Sequence, residues 1–394
     1  MDLNAVLGRA VELGASDIHL KVGQPPVLRR DGDLGLLPDH PPLYDSDLEA
    51  ALAIVADMTP AKLSHFHESG ELDIAYSAQG LPRFRVNGYR QRGSISFAFR
   101  VIPSEVPSFE KLRLPKGVQR LAEEHRGLVL VTGATGSGKT TTLAAVIDYI
   151  NRTRRQHIVT IEDPIEILHS DQGCIVNQRE VGLDTESFLA AIRRVLRQDP
   201  DVILIGELRD AETAETALKA AESGHLVFST MHTIDAAETI GRMVEFFPAV
   251  KQDQIRAILA GVLRGVVSQR LLPRRESGRV AAVEVMVNNS RIADLIRESR
   301  SEEITDAIAE GQFFDMQTFT QALIELVVAG EVDRETAANA STQRHDFVVA
   351  LDQALKRQAA GVTTDRPVSE MEPEPPKPGE APMPGLRVAG SQDG

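Results

Sequence analysis

The sequence predicts an α/β protein, a parallel sheet covered by helices on both faces and preceded by a smaller α+β region. Three observations carry that expectation. Beyond residue 116, apolar segments at 128–131, 158–161, 202–205 and 226–228 alternate with helical patterns, as in a sheet buried on both sides. Before residue 103 the chain instead mixes helical spacing with short alternating strands. Between the two, Pro103, Pro107 and Pro115 punctuate a stretch that resists helix and strand alike.

Within the first region, Leu3, Val6, Leu7, Ala10 and Leu13 recur at helical spacing, and Ile18, Leu20 and Val22 then alternate like a strand. A second helix runs through Leu48, Leu52 and Val55, and strands follow at 72–76, 84–86 and 95–101. Residues 1–102 therefore read as one α+β domain, 103–116 as a linker and 117–287 as the α/β core. Past Val287 the pattern is helical only, with faces marked by Ile292, Leu295, Ile296 and by Phe319, Leu323, Leu326, Val327, giving a helical subdomain over 288–358. Residues 359–394, with the run EMEPEPPKPGEAPMPG, are rich in proline and glutamate, lack any apolar period and read as a disordered tail.

A chain of 394 residues has room for several cores, and 42% hydrophobic with 25% charged residues is a globular profile. The net charge of −14 argues against neutralising nucleic-acid phosphates or anionic lipid as the main task. No apolar run is long enough to cross a bilayer, and charges interrupt the N-terminus where a signal peptide needs its apolar stretch, so a cytoplasmic protein is expected. The single cysteine, Cys174, excludes an internal disulfide and a multi-cysteine zinc site, and reads as a small buried residue.

The chemistry begins at Gly133-Ala134-Thr135-Gly136-Ser137-Gly138-Lys139-Thr140, which fits G-x-x-x-x-G-K-[ST] between an apolar strand and a helix opening with Thr141. Glycines there let backbone N–H groups approach phosphates, and the helix N-terminus adds partial positive charge. Lys139 is placed to reach the outer phosphates of ATP, and Thr140 to hold Mg²⁺. Glu207 follows the apolar strand at 202–205 and is the candidate to polarise the attacking water and to face Mg²⁺; its competing role is to cap the next helix together with Asp210. Glu162, Asp163 and Glu166 leave the strand at 158–161 toward the same sheet edge, with Glu162 a candidate catalytic carboxylate and Glu166 a candidate Mg²⁺ ligand; a solvated acidic turn would look the same. His232, past the strand starting at Leu226, is placed to sense the γ phosphate, although a lone histidine often serves only structure.

Four segments in order, GATGSGKT, TIEDPIE (160–166), DPDVILIGELRD (199–210) and GHLVFSTMHT (224–233), resemble the Walker A, aspartate, Walker B and histidine boxes of the secretion and type IV pilus ATPase superfamily. The resemblance extends to GASDIHL (14–20), RFRVN (83–87) and SQRLLPR (268–274), and leaves only the tail outside it. Assembly and type II secretion members carry a four-cysteine zinc insertion that one cysteine cannot supply, so the resemblance favours the shorter retraction branch, PilT-type or its accessory PilU-type. In NNSRIADLIRE (288–298), which is similar to a late box of that branch, Ala293 stands where an arginine is expected and an arginine is displaced to Arg291.

The resemblance implies a hexameric ring motor, in which a PAS-like N-terminal domain is joined by the linker to a RecA-like domain. It also implies ATP and Mg²⁺ between domains and subunits, and work on a pilus base at the inner face of the cytoplasmic membrane. The implied partners are a platform protein and a second retraction ATPase, with no nucleic acid. It further implies arginines reaching a nucleotide from the N-terminal domain. Alternation supplies candidates: Arg83 and Arg85 lie opposite Phe84 and Val86, Arg100 lies outside with Ser94 and Ser96, and Arg90 and Arg92 occupy the connection before that strand. By the resemblance, Arg85, Arg90 and Arg100 are the phosphate contacts, although scattered surface arginines would give the same pattern. An assembly or secretion ATPase without zinc, a RecA-like nucleic-acid translocase and a nucleotide-binding scaffold without turnover are the other readings of the residues.

Overall fold

The computed structural model describes residues 1–30, 32–57, 60–102 and 106–359. Pro103 and the predicted tail from residue 360 onward lie outside the described residues.

Helix α1 (Leu3–Glu12), capped by the Asp2 side chain, leads into β1 (Asp17–Lys21), β2 (Val27–Arg30) and β3 (Asp33–Leu36). Helices α2 (Asp45–Val55) and α3 (Pro60–Ser69) precede β4 (Glu71–Tyr76), β5 (Phe84–Gln91) and β6 (Ser94–Val101). The strands form a six-stranded sheet in the order β3-β2-β1-β6-β5-β4, antiparallel throughout. One face closes over a core of Leu7, Ile18, Leu20, Leu52, Phe66, Phe84, Val86, Phe97 and Phe99. Hairpin β5–β6 turns through Arg92 and Gly93, with φ of 52° and 86°. That is the left-handed pair a two-residue hairpin needs, and a non-glycine residue adopts it at a cost of about 1–2 kcal/mol.

Two expectations for this sheet are corrected. Arg90 lies inside β5, not in the connection, and shares the core-side parity of Phe84, Val86 and Gly88, with its guanidinium over the Phe66 ring at 5.4 Å. The pattern was hard to follow because Gly88 interrupts it: a Cβ there would stand 2.8 Å from the Phe97 ring. Ser96, expected outside, is only 1% exposed.

The stretch expected to be an unstructured linker holds a one-turn helix, α4 (Phe109–Leu112), because Ser108 caps it and Phe109 is buried. After α5 (Lys116–Ala122) come β7 (Gly127–Thr132), α6 (Lys139–Thr153), β8 (His157–Glu162), β9 (Ile175–Glu180), α7 (Phe188–Val195), β10 (Val202–Ile205), α8 (Ala211–Glu222) and β11 (Leu226–Met231). Then follow α9 (Ala236–Glu245), α10 (Ala249–Val262), β12 (Leu263–Pro273), β13 (Arg279–Val287), α11 (Ser290–Arg297), α12 (Ile304–Ala309), α13 (Phe319–Val328), α14 (Arg334–Ala340) and α15 (Arg344–Ala359). The seven-stranded sheet runs β13-β12-β7-β11-β10-β8-β9. It is parallel except for β13, which returns antiparallel along β12. Every residue of β7, β10 and β11 is buried, as a sheet covered on both faces requires. Cys174 is also buried, which pushes its thiol pKa up. Residues Met1–Val348 form one compact unit; the chain from Val349 belongs to a second, of which the end of α15 is the described part.

Glu284, in the middle of β13, is buried and accepts a hydrogen bond from the N–H of Ala236 at 2.9 Å, the first residue of α9. Its carboxylate also accepts from the backbone of Phe319, the first residue of α13, so one side chain serves two helix N-termini. Burial outweighs these bonds and raises its pKa from 4.5 to about 7. Below the lower value the group is protonated in both folded and unfolded chains. As pH rises toward the upper value only the unfolded chain releases the proton, so folding loses up to about 3 kcal/mol and the loss is complete above it. Glu284→Gln keeps an acceptor oxygen and cannot ionise. Its melting temperature should match the wild type near pH 4 and exceed it at pH 8; the same difference at both pH values would refute the assignment.

Candidate functional site

Strand β7 ends at Thr132, and the loop that follows is shaped by contacts a side chain would forbid. A Cβ on Gly133, at φ 140°, would stand 2.4 Å from the Gln269 carbonyl oxygen and 2.6 Å from Ser137 Oγ. Gly136 and Gly138 also take left-handed φ values of 78° and 93°, and Gly138 is the residue from which α6 starts. Ala134, Thr135, Gly136 and Thr140 are exposed at the mouth of the loop, with Thr141 partly buried behind them. Ser137 Oγ is buried without a hydrogen-bond partner, so the cradle holds a donor in reserve. The Lys139 Nζ bonds the carbonyls of Gly133 at 2.7 Å and Ala134 at 3.1 Å. Burial lowers its pKa, and the Glu207 charge opposes that shift.

The other residues sit at the carboxyl ends of neighbouring strands. Glu207, past the end of β10, is paired through one oxygen with Arg209, and its Oε2 lies 3.5 Å from His232 Nε2. The competing capping role falls to Asp210, whose side chain accepts from the N–H of Thr213 at the start of α8. His232, past the end of β11, has 55% of its side chain exposed. Glu162, at the end of β8, accepts from Thr160 Oγ1 at 2.6 Å and Gln178 Nε2 at 3.0 Å, while burial raises its pKa.

The structure thus brings Lys139, Glu207 and His232 to one rim and sends the remaining candidates to other partners. Glu166 meets Arg85 Nη1 at 3.8 Å, and Arg85 also donates to Asp73 at 3.1 Å. Arg100 donates to Asp17 at 2.9 Å, and Arg90 stays over Phe66. Among the described residues no group of three or more His, Cys, Asp or Glu is placed to hold a metal ion.

Two contributors had no role in the sequence reading. Arg209 stands two residues past Glu207 and takes up one of its oxygens. Gln269 of β12 backs the loop through its carbonyl and donates from Nε2 to Thr142 Oγ1 of α6 at 2.8 Å; beside it, Ser268 Oγ receives Thr132 Oγ1 at 2.9 Å. Position inside the SQRLLPR segment was the only signal for Gln269, because a polar residue within a buried strand breaks the apolar run that marks strands.

Loop and rim together place this protein among the P-loop nucleoside triphosphatases. The chain belongs to the type II/IV secretion system protein family, whose sequence profile matches residues 108–365. It is similar to the type IV pilus retraction ATPase PilT of Pseudomonas aeruginosa, with 45% identity over 337 residues covering 86% of this chain and 97% of that one. The type IV pilus ATPase PilU of the same organism is 40% identical over 348 residues, covering 88% of this chain and 90% of that one. A crystal structure of the pilus retraction motor PilT with bound ADP superposes with a TM-score of 0.82 at 45% identity, covering 88% of this chain and 98% of that one.

The contacts at Gly133 give a direct expectation. Gly133→Ala forces a methyl against the Gln269 carbonyl in a backbone conformation L residues avoid, and should destabilise the fold by about 1–3 kcal/mol in denaturant titration. Unchanged stability would show that the loop does not need this approach.

Proposed function

We propose that this chain is an ATPase motor that hydrolyses ATP to retract type IV pili, working as a hexameric ring on the cytoplasmic side of the pilus base. The observation that carries the reading is 45% identity to PilT across 86% of the chain, with loop, Glu207 and His232 assembled at one rim. No helix among the described residues is long and apolar enough to cross a membrane. In this reading an inner-membrane platform protein is the partner at the pilus base.

In this reading residues 133–141 cradle the ATP phosphates, and the Lys139 ammonium leaves its carbonyl partners for the outer phosphates. Thr140 and Glu207 would hold Mg²⁺, with Glu166 joining them once Arg85 is drawn away; bound there, the ion neutralises charge on the phosphates. The donor set fits Mg²⁺, which is held by one or two carboxylates and the phosphates themselves more often than by a cage of protein ligands. Glu207, freed from Arg209, polarises water; Glu162, whose raised pKa marks a carboxylate out of water, acts beside it; His232 reports the γ phosphate to Glu207. Arg85, Arg90 and Arg100 supply positive charge from the N-terminal sheet of a neighbouring subunit, where a planar fork suits phosphate. Hydrolysis removes the group that holds these parts closed, and the N-terminal domain, residues 1–102, swings on the linker against the core, residues 117–287.

Lys139→Ala and Glu207→Gln should each lower ATP turnover about 10²-fold or more, and chelating Mg²⁺ should abolish turnover until the ion is restored. Cells lacking the protein should carry excess unretracted pili; bald cells would contradict retraction. An accessory motor of the PilU kind is the second reading, favoured by 40% identity to PilU and by Ala293 in the late box. Such a motor works beside a second retraction ATPase, and restoring retraction to cells that lack every other retraction ATPase would exclude it.

A further inference from the structure

The pair Arg83–Glu180 joins the two sheets. Arg83 enters β5 from the N-terminal domain, and its backbone carbonyl accepts from the N–H of Ile102 just past β6. Its Nη2 lies 2.5 Å from Oε2 of Glu180, the last residue of β9. Only 3% of the Glu180 side chain and 14% of the Arg83 side chain are exposed, so this is a buried charge pair. Surface ion pairs contribute little, but a buried pair that loses one member leaves an uncompensated charge.

What Glu180 does with the rest of its carboxylate makes the pair more than a fastening. The same Oε2 accepts the backbone N–H of Ile165 at 3.2 Å. Ile165 is buried and stands inside the acidic segment, between Asp163 and Glu166. Glu180 is also the β9 partner of Glu162, and the Glu162 carbonyl accepts from the N–H of Val181 at 2.8 Å. Two residues along, Arg85 on the same side of its strand faces Glu166. Arginines two apart on the N-terminal sheet thus hold the acidic segment at two points, one direct and one through Glu180.

We propose that Arg83 and Glu180 are positioning residues for hydrolysis, transmitting the placement of the N-terminal sheet to the acidic segment, residues 162–166, through Glu180 Oε2, which accepts from both the Arg83 guanidinium and the Ile165 N–H. This rests on the reading of the chain as an ATPase in which that segment belongs to the reaction site. A swing of the N-terminal domain then moves Arg83, relaxes the Glu180 carboxylate and shifts the backbone carrying Glu162 and Glu166.

The test uses the full chain with ATP and Mg²⁺, measuring kcat, KM and thermal unfolding together. Arg83→Met should lower kcat about tenfold, since small misplacements of catalytic groups cost that much or more. KM should stay within about threefold, because the phosphate cradle is untouched. Arg83→Lys should recover most of the loss, since one N–H donor to one oxygen is all the geometry uses. The double variant Arg83→Met/Glu180→Gln leaves no buried charge and no donor at position 83, keeps an acceptor for Ile165, and should fold and show the same kcat loss even where Arg83→Met does not fold. Lys139→Ala separates the two levels of the argument. Turnover surviving in Lys139→Ala overturns the assignment of hydrolysis to the Lys139 loop and its rim, and this proposal with it. Turnover lost there but unchanged in the folded double variant, or a loss confined to KM, overturns the coupling alone.

Discussion

Everything at the site depends on parallel strands ending at one rim. In the order β7-β11-β10-β8, each strand delivers its next residues to the same edge: the glycine loop after β7, His232 after β11, Glu207 after β10 and the acidic segment after β8. The strands between are apolar because helices cover both faces, so charge can leave the sheet only at its ends. The chain passes from β7 to β8 across two places that β10 and β11 later fill, which brings the ends of all four strands to one edge.

The N-terminal sheet solves a different electrostatic problem. Arg85 and Arg100 are direct cross-strand partners, an arrangement that repels. Asp73 relieves the first and Asp17 the second, so each arginine leans away from the other, toward a carboxylate on its outer side. These exposed pairs are weak and exchangeable, unlike Arg83 with Glu180. The contrast sets Arg83, which has a buried partner, apart from Arg85 and Arg100, whose exposed partners a stronger anion can displace.

How much of this could be read from the sequence follows from how local each feature is. The glycine loop is contiguous, and Gly133, Lys139 and Thr140 stand in a fixed spacing whose purpose is backbone approach to phosphate. Glu207 was legible because it is the first charged residue after an apolar strand. Two of the strands that escaped notice fail the periodic test for physical reasons. β9 is an exposed edge with polar residues, and β12 carries Ser268 and Gln269 inward to serve the loop. Partners remote in sequence, such as Arg83 with Glu180 or Glu284 with α9 and α13, leave no local trace, because burial alone makes them matter.

The turn at Arg92 and Gly93 has a consequence for the whole hairpin. Side chains along a strand alternate strictly between two sides, so the number of residues in that turn decides which set meets water. Lengthening or shortening it by one would exchange inside for outside along β6 relative to β5, burying Arg100 and stranding Phe97 and Phe99 in solvent. The two-residue length of the turn at Arg92 and Gly93 is thus what keeps a basic surface basic and an oily interior oily.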